Sequence, residues 1–222
     1  MAGLWQSLVG MISEGIEFFG QLTGNYGWGI ILLTIMVRMV LVPLTMSQNR
    51  ATLKMRQLNP ELERLKAKYK DDSQKLNEET IKLWKEHGVN PAAGCLPMLV
   101  QMPVIIAIFQ ALRAFEFAAD ASFMWLPNLA QPDPLFILPV LAAISTYAQT
   151  KITTGDAESA GGSQAIMMYA MPLFIGYISI QFPAGLALYW TVTNIFGVGQ
   201  QYVVNGLIRA DSDDREQEGE SG

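Results

Sequence analysis

Residues 32–43 read LLTIMVRMVLVP. A permanent cation, Arg38, stands inside an apolar run with no carboxylate near it in sequence. Between residues 28 and 46 there are ten Ile, Leu and Val residues. Each favours insertion of a helix into a bilayer by about 0.3–0.6 kcal/mol, and a central arginine opposes it by about 2.5–3.5 kcal/mol. The apolar residues outweigh the charge, so the run reads as a membrane span with a cation at its midpoint. Half of a hydrocarbon core is roughly 15 Å, too far for the side chain to reach water by snorkelling. An ionisable group at that depth needs a partner or a watery cavity.

The composition agrees with a membrane setting. Half of the 222 residues are hydrophobic, only 16% are charged, and the mean hydropathy is +0.23. Apolar runs recur at about 28–46, 95–112, 135–150, 166–182 and 184–206. They predict an all-α membrane protein with five transmembrane helices. A soluble all-α protein is the alternative, but its helices would need polar faces that these runs lack.

Orientation follows from the cations. Of fifteen Lys and Arg, ten lie between Arg50 and Lys85, and Lys151, Arg209 and Arg215 fall on the same side. Arg113 stands alone on the other. The basic side is expected to be cytoplasmic, which puts the N-terminus outside, residues 47–94 inside and the acidic tail 207–222 inside and disordered. No basic segment precedes an apolar stretch near Met1, so no secretory signal is visible; a leader has been removed, or the segment crosses unaided. In 1–24, Leu4, Leu8, Met11, Ile12, Ile16 and Phe19 recur at helical spacing opposite Ser13, Glu14 and Glu17, the pattern of an amphipathic helix lying in the outer interface.

Within the inner loop, Asn59-Pro60 reads as a helix start, with Asn as N-cap and Pro at the first position. Leu58, Leu62, Leu65 and Tyr69 mark one seam, and Leu76, Thr80 and Leu83 a facing one, with Ile81 and Trp84 beside it. Asp71-Asp72-Ser73 makes the turn, Gly88 ends the second arm, and Asn90-Pro91 starts the next helix. The prediction is an antiparallel helical hairpin over 55–88; a solvated charged linker is the alternative. His87 reads as a helix-end residue, and the single Cys95 as a buried thiol.

The five runs contain no Asp or Glu, so Arg38 has no counter-ion in them. A polar, hydrated cavity is its expected home. Gln101, Ser145, Thr146, Gln149, Ser179, Gln181, Thr191, Thr193 and Asn194 are candidates to line it, many of them simply bonded within or between helices. An anionic group arriving from outside the chain is the guest that suits an unpaired cation; a guanidinium bonded only to carbonyls and hydroxyls is the alternative. No P-loop, H-E-x-x-H or nucleophile–base pairing is present, so neither catalysis nor a metal or cofactor is expected.

NPAAGCLPMLVQMPVIIAIFQAL (90–112) resembles the second-span signature of the YidC/Oxa/Alb family of membrane protein insertases, and FPAGLALYWTVTNIFGVGQQ (182–201) resembles its last span. LLTIMVRMVLVPL places an arginine where that family's first span carries one, and LNPELERLKAKY is similar to the start of its cytoplasmic hairpin. The resemblance runs from about 25 to 206 and is closest to the Gram-positive five-span type. It implies a protein that takes small membrane proteins into the bilayer, alone or beside the Sec translocon, through a groove open to cytoplasm and lipid. It implies that Arg38 attracts acidic residues of the substrate tail, with Gln149 and Trp190 at groove positions. Gln101, Thr146, Thr191 and Asn194 complete the candidate site. Partners implied are nascent membrane proteins, the ribosome through the basic loop, and lipid, with a monomer as the working unit in a bacterial plasma membrane. Two features depart from the family: there is no lipoprotein signal, and the tail is acidic where many relatives are basic. An anion transporter or channel using the same arginine is the competing function, and a scaffold built on the hairpin is a third.

Overall fold

A computed structural model of the protein describes residues 2–46, 57–88, 92–114, 121–154 and 162–220. Among these residues the chain is helical, and its only β-type pairing is one isolated bridge between Phe123 and Leu126. In chain order the helices are α1 (Ala2–Thr23), α2 (Tyr26–Val40), α3 (Asn59–Lys68), α4 (Ser73–Glu86), α5 (Ala92–Ala114), α6 (Ile137–Thr154), α7 (Gly162–Ser179) and α8 (Ala184–Glu220).

The α1–α2 turn is encoded locally. Gly24 takes φ +71°, a left-handed conformation that closes a helix without a Cβ penalty. Asn25 follows as N-cap of α2, its side-chain oxygen accepting from Gly27 N–H at 2.8 Å. The two helices then pack along their length. Of the predicted apolar face of α1, Ile16 is buried and Leu8, Ile12 and Phe19 are half-buried, whereas Leu4 and Met11 are exposed. The helix also packs on α5, where Trp5 Nε1 donates to Gln110 Oε1 at 2.9 Å.

α2 is 15 residues long; Leu41 follows it with right-handed angles, and a short helical stretch over 42–46 continues the chain, with Thr45 N–H donating to the Leu41 carbonyl at 2.9 Å. At about 1.5 Å per residue α2 reaches roughly 22 Å, short of a hydrocarbon core of about 30 Å. α6 and α7 have 18 residues each, and α6 includes Lys151. Among the described residues no helix is long and apolar enough to cross a membrane. The Cys95 side chain, Asn90-Pro91 and residues 47–56 lie outside what is described.

α3 begins one residue earlier than its sequence signals. Leu58 occupies the N-cap with no side-chain bond, and Pro60 falls in the first turn, where its missing N–H costs nothing. Asp72 caps α4 through Lys75 N–H at 3.0 Å. His87 closes that helix, its Nδ1 donating to the Leu83 carbonyl at 2.9 Å, and Gly88 follows at φ +62°. α3 and α4 pack mainly against each other, with Leu58 and Leu83 the buried residues. Ile81 is exposed.

The tail departs from expectation: the helical backbone of α8 continues to Glu220 instead of ending near 206. No proline follows Pro183, and Ala, Arg, Gln and Glu favour continuation of a helix already nucleated by packing.

α8 is the hub, packing on α2 and α6, while α7 packs chiefly on α6. The main core lies where Ile16, Ile30, Leu112 and Ala184 meet Phe123, Leu126 and Leu129 of the segment before α6.

Candidate functional site

Arg38 sits in the last turn of α2 and is half-buried. Its Nη2 donates to Gln101 Oε1 of α5 at 3.2 Å, and Gln101 Nε2 donates to Tyr189 Oη of α8 at 2.7 Å. Three helices are thereby joined by one polar chain, and the guanidinium is oriented by a neutral amide. A guanidinium carries five N–H donors. Among the described residues Gln101 is the hydrogen-bond partner of the Arg38 side chain, and no carboxylate lies against it. The arrangement leaves positive charge and donor capacity for an anionic guest, with the planar fork that suits a carboxylate or phosphate.

A second polar group lies between α6 and α8. Trp190 Nε1 donates to Thr146 Oγ1 at 2.9 Å. The Asn194 amide lies 2.9 Å from Thr146 Oγ1 and 3.2 Å from Ser145 Oγ. With its carbonyl turned toward them, Asn194 also accepts from Trp190 Nε1 at 3.1 Å; in this orientation the amide oxygen faces donors. Ser145, Thr146 and Asn194 are all buried. Such bonds hold two helices in register where the surroundings offer no water.

The remaining candidates separate. Thr191 turns its hydroxyl to the Ala187 carbonyl of its own helix at 2.8 Å, and Ser179 does the same to Ile175 at 2.7 Å. Gln181 is exposed. Gln149 Nε2 donates to Thr153 at 3.3 Å, leaving Oε1 buried without a partner, and Thr193 Oγ1 is likewise buried and unpaired. A Cβ at Gly197 would stand 2.8 Å from Gln149 Oε1. Gly197 is therefore the place where α8 admits the Gln149 amide. The atom met is the end of a flexible side chain, so Gly197→Ala is expected to displace Gln149 while changing stability by less than about 1 kcal/mol. A melting curve in detergent checks this. A loss much above that value would mean Gln149 cannot move. Gly199 has open space around its Cβ position, and nothing here explains it.

Two residues that the sequence reading did not single out matter here. Tyr189 orients Gln101; its signal is an aromatic hydroxyl in an apolar run, which requires a partner once buried. Asp133 is a buried carboxylate just before α6, and only the Asp-Pro dipeptide at a helix start hints at it. A cleft of about 320 Å³ between α3 and α4 is flanked by Glu61, Arg64 and Lys68 on one side and Glu79, Lys82 and Glu86 on the other. Its mixed signs give it no preference for a charged guest.

Comparison with known proteins shows the family. The family described as 60Kd inner membrane protein matches residues 18–211. Membrane protein insertase YidC 2 of Bacillus anthracis is 41% identical over 210 residues, covering 92% of this chain and 82% of that protein. Membrane protein insertase MisCA of Bacillus subtilis (strain 168) is 40% identical over 200 residues, covering 88% and 76%. The fold is similar to the crystal structure of an active YidC insertase with its first transmembrane domain resolved. The TM-score is 0.71 at 31% identity, over 90% of this chain and 46% of that one. The chain belongs to the YidC family of bacterial membrane protein insertases.

Proposed function

We propose that this protein takes small or single-span membrane proteins into the bilayer through a hydrated groove open to cytoplasm and lipid. Arg38 attracts acidic residues of the substrate's translocating tail. The observation that carries this reading is the Arg38 guanidinium held by a neutral amide, with no carboxylate against it among the described residues. A half-buried cation held this way favours an anionic visitor and releases it without breaking a resident ion pair. The driving force is the guest's own apolar segment leaving water.

In this reading the helical segments cross the membrane five times, with the N-terminus outside, α1 in the outer interface and α3–α4 projecting into the cytoplasm. Gln101 orients Arg38, the Thr146–Trp190–Asn194 group holds α6 to α8, and Gln149 packs between those two helices against Gly197. Nascent membrane proteins are the substrates, with the ribosome meeting the basic loop, the Sec translocon as an occasional partner, and a monomer as the working unit. Reconstitution of the purified protein into liposomes tests the proposal. Insertion of a short single-span substrate supports it, whereas anion flux without insertion would replace it by transport through the same arginine.

The tip joining α3 to α4 is expected to recruit partners. Lys68 and Lys75 place their ammonium groups 5.1 and 5.8 Å from the Tyr69 ring centre, which gathers positive charge there. Deleting Lys70–Lys75 is expected to leave the melting temperature of the bundle unchanged and to slow insertion severalfold, an effect of roughly 1 kcal/mol. Undiminished insertion by the deleted protein would remove the tip from the mechanism.

A further inference from the structure

Residues 121–136 form a cap over the end of the bundle where α2, α6 and α8 begin. Phe123 and Leu126 exchange backbone bonds at 2.9 and 2.8 Å, and Leu129 N–H donates to the Ala121 carbonyl at 3.1 Å. The cap is fastened to three helix starts. Asn25 Nδ2, at the N-cap of α2, donates to the Ser122 carbonyl at 2.8 Å. The first two N–H groups of α8, from Ala184 and Gly185, donate to the carbonyls of Gln131 and Leu129 at 2.8 and 2.9 Å. These donors would otherwise be orphans of the helix end.

The third fastening is Asp133, only 3% exposed. Its Oδ2 accepts from Leu138 N–H at 2.7 Å, and its Oδ1 from Leu135 N–H at 3.0 Å and Trp125 Nε1 at 3.2 Å. One carboxylate thus caps α6 and ties Trp125 of the cap to it. The backbone on either side is forced. Met124 and Phe136 have φ of 53° and 56°, the non-glycine positive values among the described residues. Residues adopt such angles only where their surroundings over-determine them. Beneath the cap, Phe123, Leu126 and Leu129 close an apolar layer with Ile30 and Leu112. Arg38 is eight residues further along α2 than Ile30, about 12 Å at the rise of a helix.

We propose that Asp133 is a positioning residue for insertion: it pins this cap, and the cap seals the groove's far end against ions while a polar tail is held at Arg38. The inference rests on the groove reading above. The chemistry of the pin is specific to a carboxylate, because both oxygens face N–H donors. Asp133→Asn turns an NH2 toward one of them, which replaces a bond by a repulsion. Trp125→Phe removes one donor and leaves the helix cap intact.

The test uses the full-length protein in sealed liposomes containing a pH-sensitive dye, with proton leak and insertion of a single-span substrate measured on the same vesicles. Asp133→Asn is expected to raise leak by about tenfold or more, as the loss of charge-assisted bonds shifts the cap toward open states. Trp125→Phe should raise it less, and Asp133→Glu should recover part of the seal. Leak equal to the unmodified protein in both Asp133→Asn and Trp125→Phe would overturn the proposal. If Asp133→Asn does not fold, Trp125→Phe decides alone, since a tight vesicle would overturn it and a leaky one would support it. An unmodified protein that inserts nothing would instead count against the insertase reading, and the leak comparison would remain readable.

Discussion

Replacing Arg38 by alanine is expected to lower insertion of substrates with acidic tails by at least about tenfold, and to leave substrates with neutral tails nearly unaffected. The magnitude follows from the contact at stake. Hydrogen bonds to charged groups contribute about 1.5–3 kcal/mol, which corresponds to roughly 10- to 100-fold in a rate or a binding constant. Here the tail is the anion, and Arg38 is the cation that the fold leaves with a neutral partner, Gln101. Arg38→Lys keeps the charge and should retain most of the activity. It falls short of arginine because an ammonium cannot present a planar fork to a carboxylate and to Gln101 at once. Truncation to alanine also leaves Gln101 Oε1 without its donor, while Gln101 keeps Tyr189 at 2.7 Å. The measurement is insertion in liposomes by matched substrates that differ only in tail charge. Equal activity of Arg38→Ala on both would remove electrostatic attraction from the mechanism.

Charge and hydropathy made the polar centre legible, since Arg38 and Gln101 are isolated polar residues in apolar runs and periodicity places them on helices. Tyr189 escaped because a tyrosine in such a run counts as apolar, and its hydroxyl acquires a role only when α5 and α8 bring Gln101 to it. Thr191 illustrates the opposite failure. A threonine facing a cavity and one bonded to its own carbonyl four residues back look identical in sequence, and here the backbone takes it. The cap over 121–136 was not legible as a packed unit. It has no period, and its burial depends on backbone bonds to Ala184 and Gly185 more than fifty residues away. Helix ends shifted for local reasons: the N-cap of α3 fell on Leu58 instead of Asn59, and the run read as ending near 206 continued to Glu220. Local propensity sets helix existence better than helix bounds.

A clear loss of stability is expected from Gly29→Ala, a substitution that would ordinarily strengthen a helix. A Cβ at Gly29 would lie 2.7 Å from the Ile16 carbonyl oxygen and 2.9 Å from Gly20 N, both backbone atoms of α1. Side-chain ends can rotate away, but a helix backbone can only be displaced as a unit. α1 would have to move off α2 and carry Ile16, 1% exposed, out of the core with it. Overpacking of this kind costs about 1–3 kcal/mol. Alanine's helix advantage over glycine offsets about 0.5–1 kcal/mol of that, leaving a net loss of up to about 2.5 kcal/mol. At this chain length each kcal/mol shifts the melting temperature by about 2–4 °C. Packing of this kind is what associates helices in lipid, where small residues let backbones approach and burial of apolar area gives little. Gly10→Ala on α1 is the matched control, because nothing lies within 4 Å of its Cβ position and only the helix advantage remains. Thermal unfolding in detergent should therefore place Gly29→Ala below the unmodified protein and Gly10→Ala at or above it. Coincident melting curves for the two variants would mean that α1 and α2 do not touch backbone to backbone at this crossing.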